Sequence, residues 1–271
     1  MQIKEIYCKS ILSRSKIYGA DYSINPYFGC LHGCTYCYAR YMLRKLPSNL
    51  MWGEFVHAKI NAPTVLLKEL RRSKRGRVLL SSVTDPYQLV EAKYMLTRRI
   101  LTILSSKDYP LIILTKSDLV IRDLDLIKKF SDADVGLTVI TLDENVRRAF
   151  EPKAPSIYRR IAAMQKLKEA KICTYAFLGP LIPIISEFSI EKLLTKLSKI
   201  NVDYVIVDKL NVKAGNKPHI MRAFMLYYPD IKGKIEKILS NENVYDEYYA
   251  DLKVKIRNLA QKLDLDLEFC Y

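Results

Sequence analysis

Asn25-Pro26-Tyr27-Phe28-Gly29-Cys30-Leu31-His32-Gly33-Cys34-Thr35-Tyr36-Cys37-Tyr38-Ala39-Arg40 holds the densest chemistry in the chain. Three of the six cysteines, Cys30, Cys34 and Cys37, fall within eight residues, while Cys8, Cys173 and Cys270 are scattered. Gly29 and Gly33 let the backbone wrap closely around the thiols. Cysteine thiolates hold iron–sulfur clusters, and a four-iron cluster has four iron corners. Three ligands leave one corner open to a small molecule, whereas four suit simple electron transfer. The other reading is a zinc knot built from Cys30, His32, Cys34 and Cys37. Zinc sites usually pair ligands from two separated segments, so a single short segment favours the open cluster.

Working outward, short apolar or β-branched runs alternate with helical patterns. Strands are predicted over 21–28, 78–83, 111–115, 135–141, 172–178 and 203–207, nearly continuous in apolar character, as for parallel strands covered on both faces. Between them, Leu66, Leu67 and Leu70 mark a helix with Asn61 as its cap, and Leu96, Ile100, Ile103 and Leu104 a second. Leu124, Ile127 and Phe130 mark a short third. Ile157, Ile161, Met164 and Leu167 step at helical spacing, as do Ile190, Leu193, Leu194 and Leu197. About six β-α repeats make an α/β fold with a parallel sheet, either doubly wound or an incomplete barrel. In both, ligands gather at the C-terminal ends of the strands. The domains expected are a core over 1–215 and a helical extension over 216–271, helical at 231–240 and 246–263 with no further strand.

The 271 residues carry 44 Lys and Arg against 29 Asp and Glu, a formal charge of +15, with 49% hydrophobic and 27% charged residues. That balance excludes a disordered chain. No run approaches the roughly 18 apolar residues of a membrane span, and the Met1–Ile6 start has no apolar signal core. A cytoplasmic protein with no membrane partner is expected. A disulfide framework does not suit such a compartment. Between 68 and 77, Lys68, Arg71, Arg72, Lys74, Arg75 and Arg77 face only Glu69. This run suits a polyanion such as DNA or RNA, and equally a solvated Lys/Arg-rich surface.

The cysteine motif at the first β-α loop resembles the radical S-adenosylmethionine (SAM) superfamily. The wider wording from Asn25 to Arg40 is similar to its spore photoproduct lyase-like (DNA repair photolyase-like) branch, over about 20–211. The resemblance implies a partial (β/α)6 barrel of radical SAM type. It implies a [4Fe-4S] cluster on Cys30, Cys34 and Cys37, whose open iron takes the amino and carboxylate groups of SAM. It further implies one-electron cleavage of SAM to a 5′-deoxyadenosyl radical that abstracts hydrogen from substrate. The electron comes from a reduced ferredoxin or flavodoxin-type donor.

Carried onto this sequence, the family pattern assigns cofactor contacts to Tyr36, Thr84, Asp85, Lys116, Thr138 and Arg160. Tyr36 flanks the adenine. Thr84 and Asp85, after the second strand, hold the amino group or ribose. Lys116 and Arg160 meet the carboxylate, and Thr138 stands where the family offers a serine. Gly179-Pro180-Leu181-Ile182-Pro183, after the fifth strand, lines the adenine pocket. Tyr38 lies toward the radical path, and Asp85 is also the first candidate for a polar substrate contact. Taken alone, Thr84-Asp85-Pro86 reads as a turn, Thr138 as a strand former, and Lys116 as a cation leaving an apolar strand. His57 and His219 receive no role. In spore photoproduct lyases a cysteine two positions before the Thr/Ser-Asp pair returns hydrogen to the product. Ser82 stands there here, and its stronger O–H bond makes it a poor donor. Cys173, on the fifth predicted strand, has no spacing that favours it as a substitute.

Overall fold

A computed structural model describes residues 1–45, 50–212 and 215–271. Its strands are β1 (Gln2–Ile6), β2 (Leu12–Arg14), β3 (Tyr22–Ile24), β4 (Tyr27–Phe28), β5 (Phe55–Lys59), β6 (Val78–Leu80), β7 (Leu111–Thr115), β8 (Ala133–Thr138), β9 (Cys173–Leu181), β10 (Tyr204–Lys209) and β11 (Leu267–Phe269). The helices are α1 (Ala62–Glu69), α2 (Glu91–Tyr94), α3 (Leu96–Ser105), α4 (Leu124–Ile127), α5 (Glu144–Phe150), α6 (Ile157–Glu169), α7 (Ile185–Ile200), α8 (Lys217–Tyr227), α9 (Lys232–Ser240) and α10 (Glu242–Lys262).

β3, β6, β7, β8, β9 and β10 pair side by side in chain order, every pair parallel. A doubly wound sheet reverses its strand order at a switch point. Uninterrupted chain order is instead the topology of a barrel series, and the edges at β2 and β11 leave it open. The open, incomplete barrel is therefore the architecture.

One face of this sheet is closed. Val78, Leu80, Leu111, Ile113, Val135 and Leu137 have no solvent exposure and join Leu66, Ile100, Leu104, Met164 and Leu167 of the helices in one core. Each such side chain stabilises by about 1.5–3 kcal/mol on burial. Their neighbours point to the other face because strand side chains alternate. There Ile112, Leu114, Phe177, Ile206 and Asp208 are only half-buried. The expected covering of both faces is thus corrected: the concave face stays partly open, as an unclosed barrel must be.

The predicted strand over 21–28 is two strands in two sheets. Pro26 has no N–H to extend a ladder, so β3 ends in the main sheet and β4 pairs antiparallel with β5 in a small sheet completed by β1. No strand was expected at 2–6 or 55–59; the small sheet holds the cysteine loop from behind. β9 runs on to Leu181, past its last β8 pairing at Phe177, so Gly179–Leu181 is strand and not the loop that was expected. Asn61 does not cap α1 with its side chain, which bonds the N–H and carbonyl of Cys8 at 2.8 and 2.9 Å.

The C-terminal segment holds α8, α9 and α10, and then β11, which pairs in parallel with β10. The expectation of no further strand is corrected. Three residues carry no readable periodicity, and the unpaired edge of β10 supplies the ladder. Among the described residues no helix is long and apolar enough to cross a membrane.

Candidate active site

Because β3 is parallel to β6–β10, the loop after it lies at their C-terminal ends, beside the loops carrying Thr84, Asp85 and Lys116. Two glycines shape it. Gly29 has φ +87°, and a Cβ there would come within 2.6 Å of the Phe55 carbonyl oxygen. Gly33, at φ +65°, packs its backbone against Gly53. Larger residues at either place meet strained dihedrals and backbone atoms. Cys30 and Cys34 are buried and Cys37 is half-buried. Burial pushes all three thiols up, Cys34 to about 12, although Lys116 opposes the rise there. Any metal bound by them must displace protons.

Gln88, fully buried, clamps this loop. Its Oε1 accepts from Leu31 N at 2.9 Å, and its Nε2 donates to the Gly29 carbonyl at 3.2 Å and to Thr84 Oγ1 at 2.9 Å. The Thr84 hydroxyl in turn donates to the Gly29 carbonyl at 2.6 Å. Thr84 therefore braces the cysteine loop.

Asp85 does likewise. Oδ1 accepts from Thr115 Oγ1 at 2.7 Å and Tyr87 N at 2.8 Å, and Oδ2 from Lys116 N at 2.9 Å. His32 Nε2 sits 3.1 Å from Oδ2, at ion-pair distance but without hydrogen-bond geometry. Burial alone raises a carboxyl; His32, Thr115 and the Lys116 N–H outweigh it and hold Asp85 well below the usual range. These contacts turn the buried carboxylate inward, so Asp85 ties three loops together where a substrate contact was expected.

Arg160 and Glu151 are both fully buried and pair at 2.6 Å. The rest of the guanidinium bonds the carbonyls of Pro155 and Thr138, at 2.9–3.0 Å. Burial would raise Glu151, but Arg160 and Lys116 hold its carboxyl down. Glu151 Oε1 accepts the Tyr36 hydroxyl. Arg160, expected at a cofactor carboxylate, is instead occupied by Glu151 and orients Tyr36 through it.

Lys116 differs. Its ammonium lies 5.8 Å from the centre of the Tyr36 ring and has no ion pair among the described residues. Burial opposes its charge, but the Cys34 sulfur and Glu151 carboxylate win and keep it protonated. Thr138 stands beside it on the concave face, in register with Phe177, its hydroxyl unbonded among the described residues. Tyr38 is 42% exposed, and its hydroxyl donates to the Ser82 carbonyl. The Ser82 hydroxyl accepts from Asn25 Nδ2 at 3.1 Å.

Sequence reasoning missed Gln88, Glu151 as the partner of Tyr36, and Asn216. Asn216, fully buried at the start of α8, donates to the Tyr36 carbonyl at 2.6 Å from 180 residues away. Gln88 lies four residues after Thr84 and Glu151 nine before Arg160, close in sequence to residues that the family pattern names. Nothing in the sequence marked Asn216.

The basic run lies elsewhere. It precedes β6, at the N-terminal ends of the strands, opposite the cysteine loop. Arg75 is paired with Asp108, and Arg77 with Asp132 and Asp134. Cys173, at the start of β9, is at that far end too.

The donor set fits a cluster. Three thiols on one loop suit separate iron corners and need not converge. Among the described residues no three His, Cys, Asp or Glu side chains converge on a single ion, and His32 is turned to Asp85. The Cys30, His32, Cys34, Cys37 zinc arrangement is therefore not formed. Beside the thiols, Arg40 Nε is buried without a hydrogen-bond partner among the described residues.

An open barrel series with a thiol-bearing loop and, at its strand C-terminal ends, an ammonium without a salt bridge among the described residues has the features of a cofactor-dependent α/β enzyme. The Radical SAM superfamily model matches residues 24–197. The chain belongs to the radical SAM superfamily and is a radical SAM enzyme, a membership that implies SAM and an iron–sulfur cluster. It is 36% identical to an uncharacterized protein of Methanocaldococcus jannaschii over 97% of this chain and 96% of that protein. An uncharacterized protein of Mycobacterium tuberculosis is 28% identical over 86% of this chain and 72% of its own length. Among solved structures, a spore photoproduct lyase variant with bound AdoMet and dinucleoside spore photoproduct aligns with TM-score 0.72 at 17% identity, covering 100% of this chain and 82% of that one. At that identity the likeness concerns the fold, the radical SAM barrel.

Proposed function

We propose that Cys30, Cys34 and Cys37 hold a [4Fe-4S] cluster and that the enzyme cleaves SAM reductively to abstract hydrogen from its substrate. The observation that carries this reading is the pairing of a three-thiol loop with the charged Lys116 ammonium, which makes no salt bridge among the described residues. When bound, the cluster and SAM supply a 5′-deoxyadenosyl radical.

The chain's own residues prepare the place. Lys116 attracts a carboxylate. Tyr36, its ring fixed by Glu151 and its backbone by Asn216, offers a flat face beside Cys37. Thr138 offers a hydroxyl on the same face. Thr84, Asp85, Gln88 and Arg160 act as positioning residues, and Tyr38 lines the way from Cys37 toward the open concave face. A reduced ferredoxin or flavodoxin-type protein supplies the electron in this reading, and the cytoplasm is its setting.

Substrate enters over Phe177, Ile206 and Asp208. With Ser82 in place of the hydrogen-donating cysteine, photoproduct repair is not the activity we assign. A DNA or RNA partner, if held by the basic run, engages the far end of the barrel and is not delivered to the thiols by it.

Anaerobic reconstitution followed by dithionite and SAM tests the reading. Expected are about four irons and four sulfides per chain and release of 5′-deoxyadenosine; Lys116→Met should raise the SAM concentration needed without removing iron. A fully loaded cluster that yields no 5′-deoxyadenosine overturns it.

A further inference from the structure

We propose that Arg40 donates its Nε–H to a ligating cysteine sulfur and so sets how readily the cluster is reduced; this rests on the cluster reading above. Arg40 belongs to the 3₁₀ segment Tyr38–Lys45, which begins directly after Cys37. Its backbone N–H turns back toward the Cys37 carbonyl, 3.5 Å away. Its Nη2 donates to the Cys34 carbonyl at 3.2 Å. The guanidinium thus lies along the stretch that carries two of the three thiols.

The decisive atom is Nε. It is closed off from solvent and has no acceptor among the described residues. A buried donor left unmade is costly, so native proteins seldom keep one without reason. Among the described residues no sulfur is placed at hydrogen-bond distance from it, so its acceptor is a sulfur brought within reach when the cluster binds. The groups whose charged form acts on this guanidinium are Cys37 and Cys34. A protonated thiol accepts weakly, whereas a thiolate is charged and makes a charge-assisted bond. The site is shaped for Arg40 against a deprotonated, metal-bound sulfur.

The consequence is electrostatic. Hydrogen bonds to the sulfurs and nearby positive charge stabilise the reduced, more negative cluster and raise its potential. Arg40 is the built-in cation at this position, and its guanidinium stays charged where a lysine under burial readily loses its proton. Arg40 is accordingly a positioning residue of the cluster, outside the expected SAM contacts.

The test uses reconstituted full-length protein and the variants Arg40→Gln and Arg40→Lys. Iron and sulfide are counted, the midpoint potential is followed by EPR during redox titration, and Fe–S(Cys) stretching is read by resonance Raman. Expected for Arg40→Gln is wild-type iron content, a midpoint shifted to more negative potential and an upshifted Fe–S(Cys) band. Arg40→Lys, which keeps charge but loses the planar fork, should fall between. Should Arg40→Gln fail to hold iron, Arg40→Lys carries the same comparison. Wild-type potential and wild-type Raman bands in a fully loaded variant overturn the proposal. If the unaltered protein itself takes up no cluster, the underlying reading fails first, and that result is seen without any Arg40 variant.

Discussion

Glu151 and Arg160 meet at 2.6 Å with neither side chain exposed, and the free side of the carboxylate receives the hydroxyl of Tyr36. This links the helix that follows β8 to the residue that precedes the third cysteine. A buried pair gains little over apolar packing, but breaking it strands a charge, at about 3–5 kcal/mol. Arg160→Met should therefore lower unfolding free energy by that order in urea denaturation. Tyr36→Phe should cost far less, about 1–2 kcal/mol. Equal losses in the two variants would contradict the arrangement.

Alanine at Cys30, Cys34 or Cys37 should abolish the brown chromophore and most of the bound iron. Alanine at Cys8, Cys173 or Cys270 should leave both intact. His32→Ala should keep iron near the wild-type content, because its imidazole faces Asp85. Iron analysis after anaerobic reconstitution decides this, and loss of metal with His32→Ala speaks for a fourth protein ligand.

Gln88→Ala deprives Leu31 N–H of its buried acceptor, and Asn216→Ala frees the Tyr36 carbonyl. Each should cost about 1–3 kcal/mol. Both loosen the cysteine loop, so oxygen-exposed protein should lose its cluster faster than the wild type. The decay of visible absorbance in air measures this; unchanged decay in both would show that the loop does not depend on them.

Asp85 gives the acid dependence a sign. Its folded-state pKa is depressed below the unfolded value of about 3.9. The stabilisation is present above that value, and it falls away as pH drops below about 4 toward the folded pKa. Asp85→Asn should be less stable at pH 7 and should show a flatter decline below pH 4. Thermal unfolding from pH 6 to pH 3 checks both parts.

Lys68, Arg71, Arg72 and Lys74 are the members of the basic run without a salt bridge among the described residues. Reversing these four charges should weaken binding of duplex DNA or RNA and flatten its salt dependence. The yield of 5′-deoxyadenosine should not change, since the run is at the other end of the strands. A parallel fall in yield would place the run at the site after all.

The sequence by itself determined the class and the three thiols that mark it. Cys30, Cys34 and Cys37 are close in the chain, so their spacing was readable without a structure. The β-α alternation was readable too, because 3.6-residue and continuous apolar patterns are local properties. Tertiary structure decided everything that depends on distant partners. Arg160 and Asp85 are polar residues of the right type for a ligand, yet which partner each meets is set by packing across 9 and 53 residues. Asn216 reaches Tyr36 over 180 residues, a separation at which local sequence carries no signal. β1, β4 and β11 stand at sheet edges, and such strands exist only because a neighbour offers them a ladder. Lys116, by contrast, was legible from its position, and the fold left its ammonium near the Tyr36 ring with no salt bridge among the described residues.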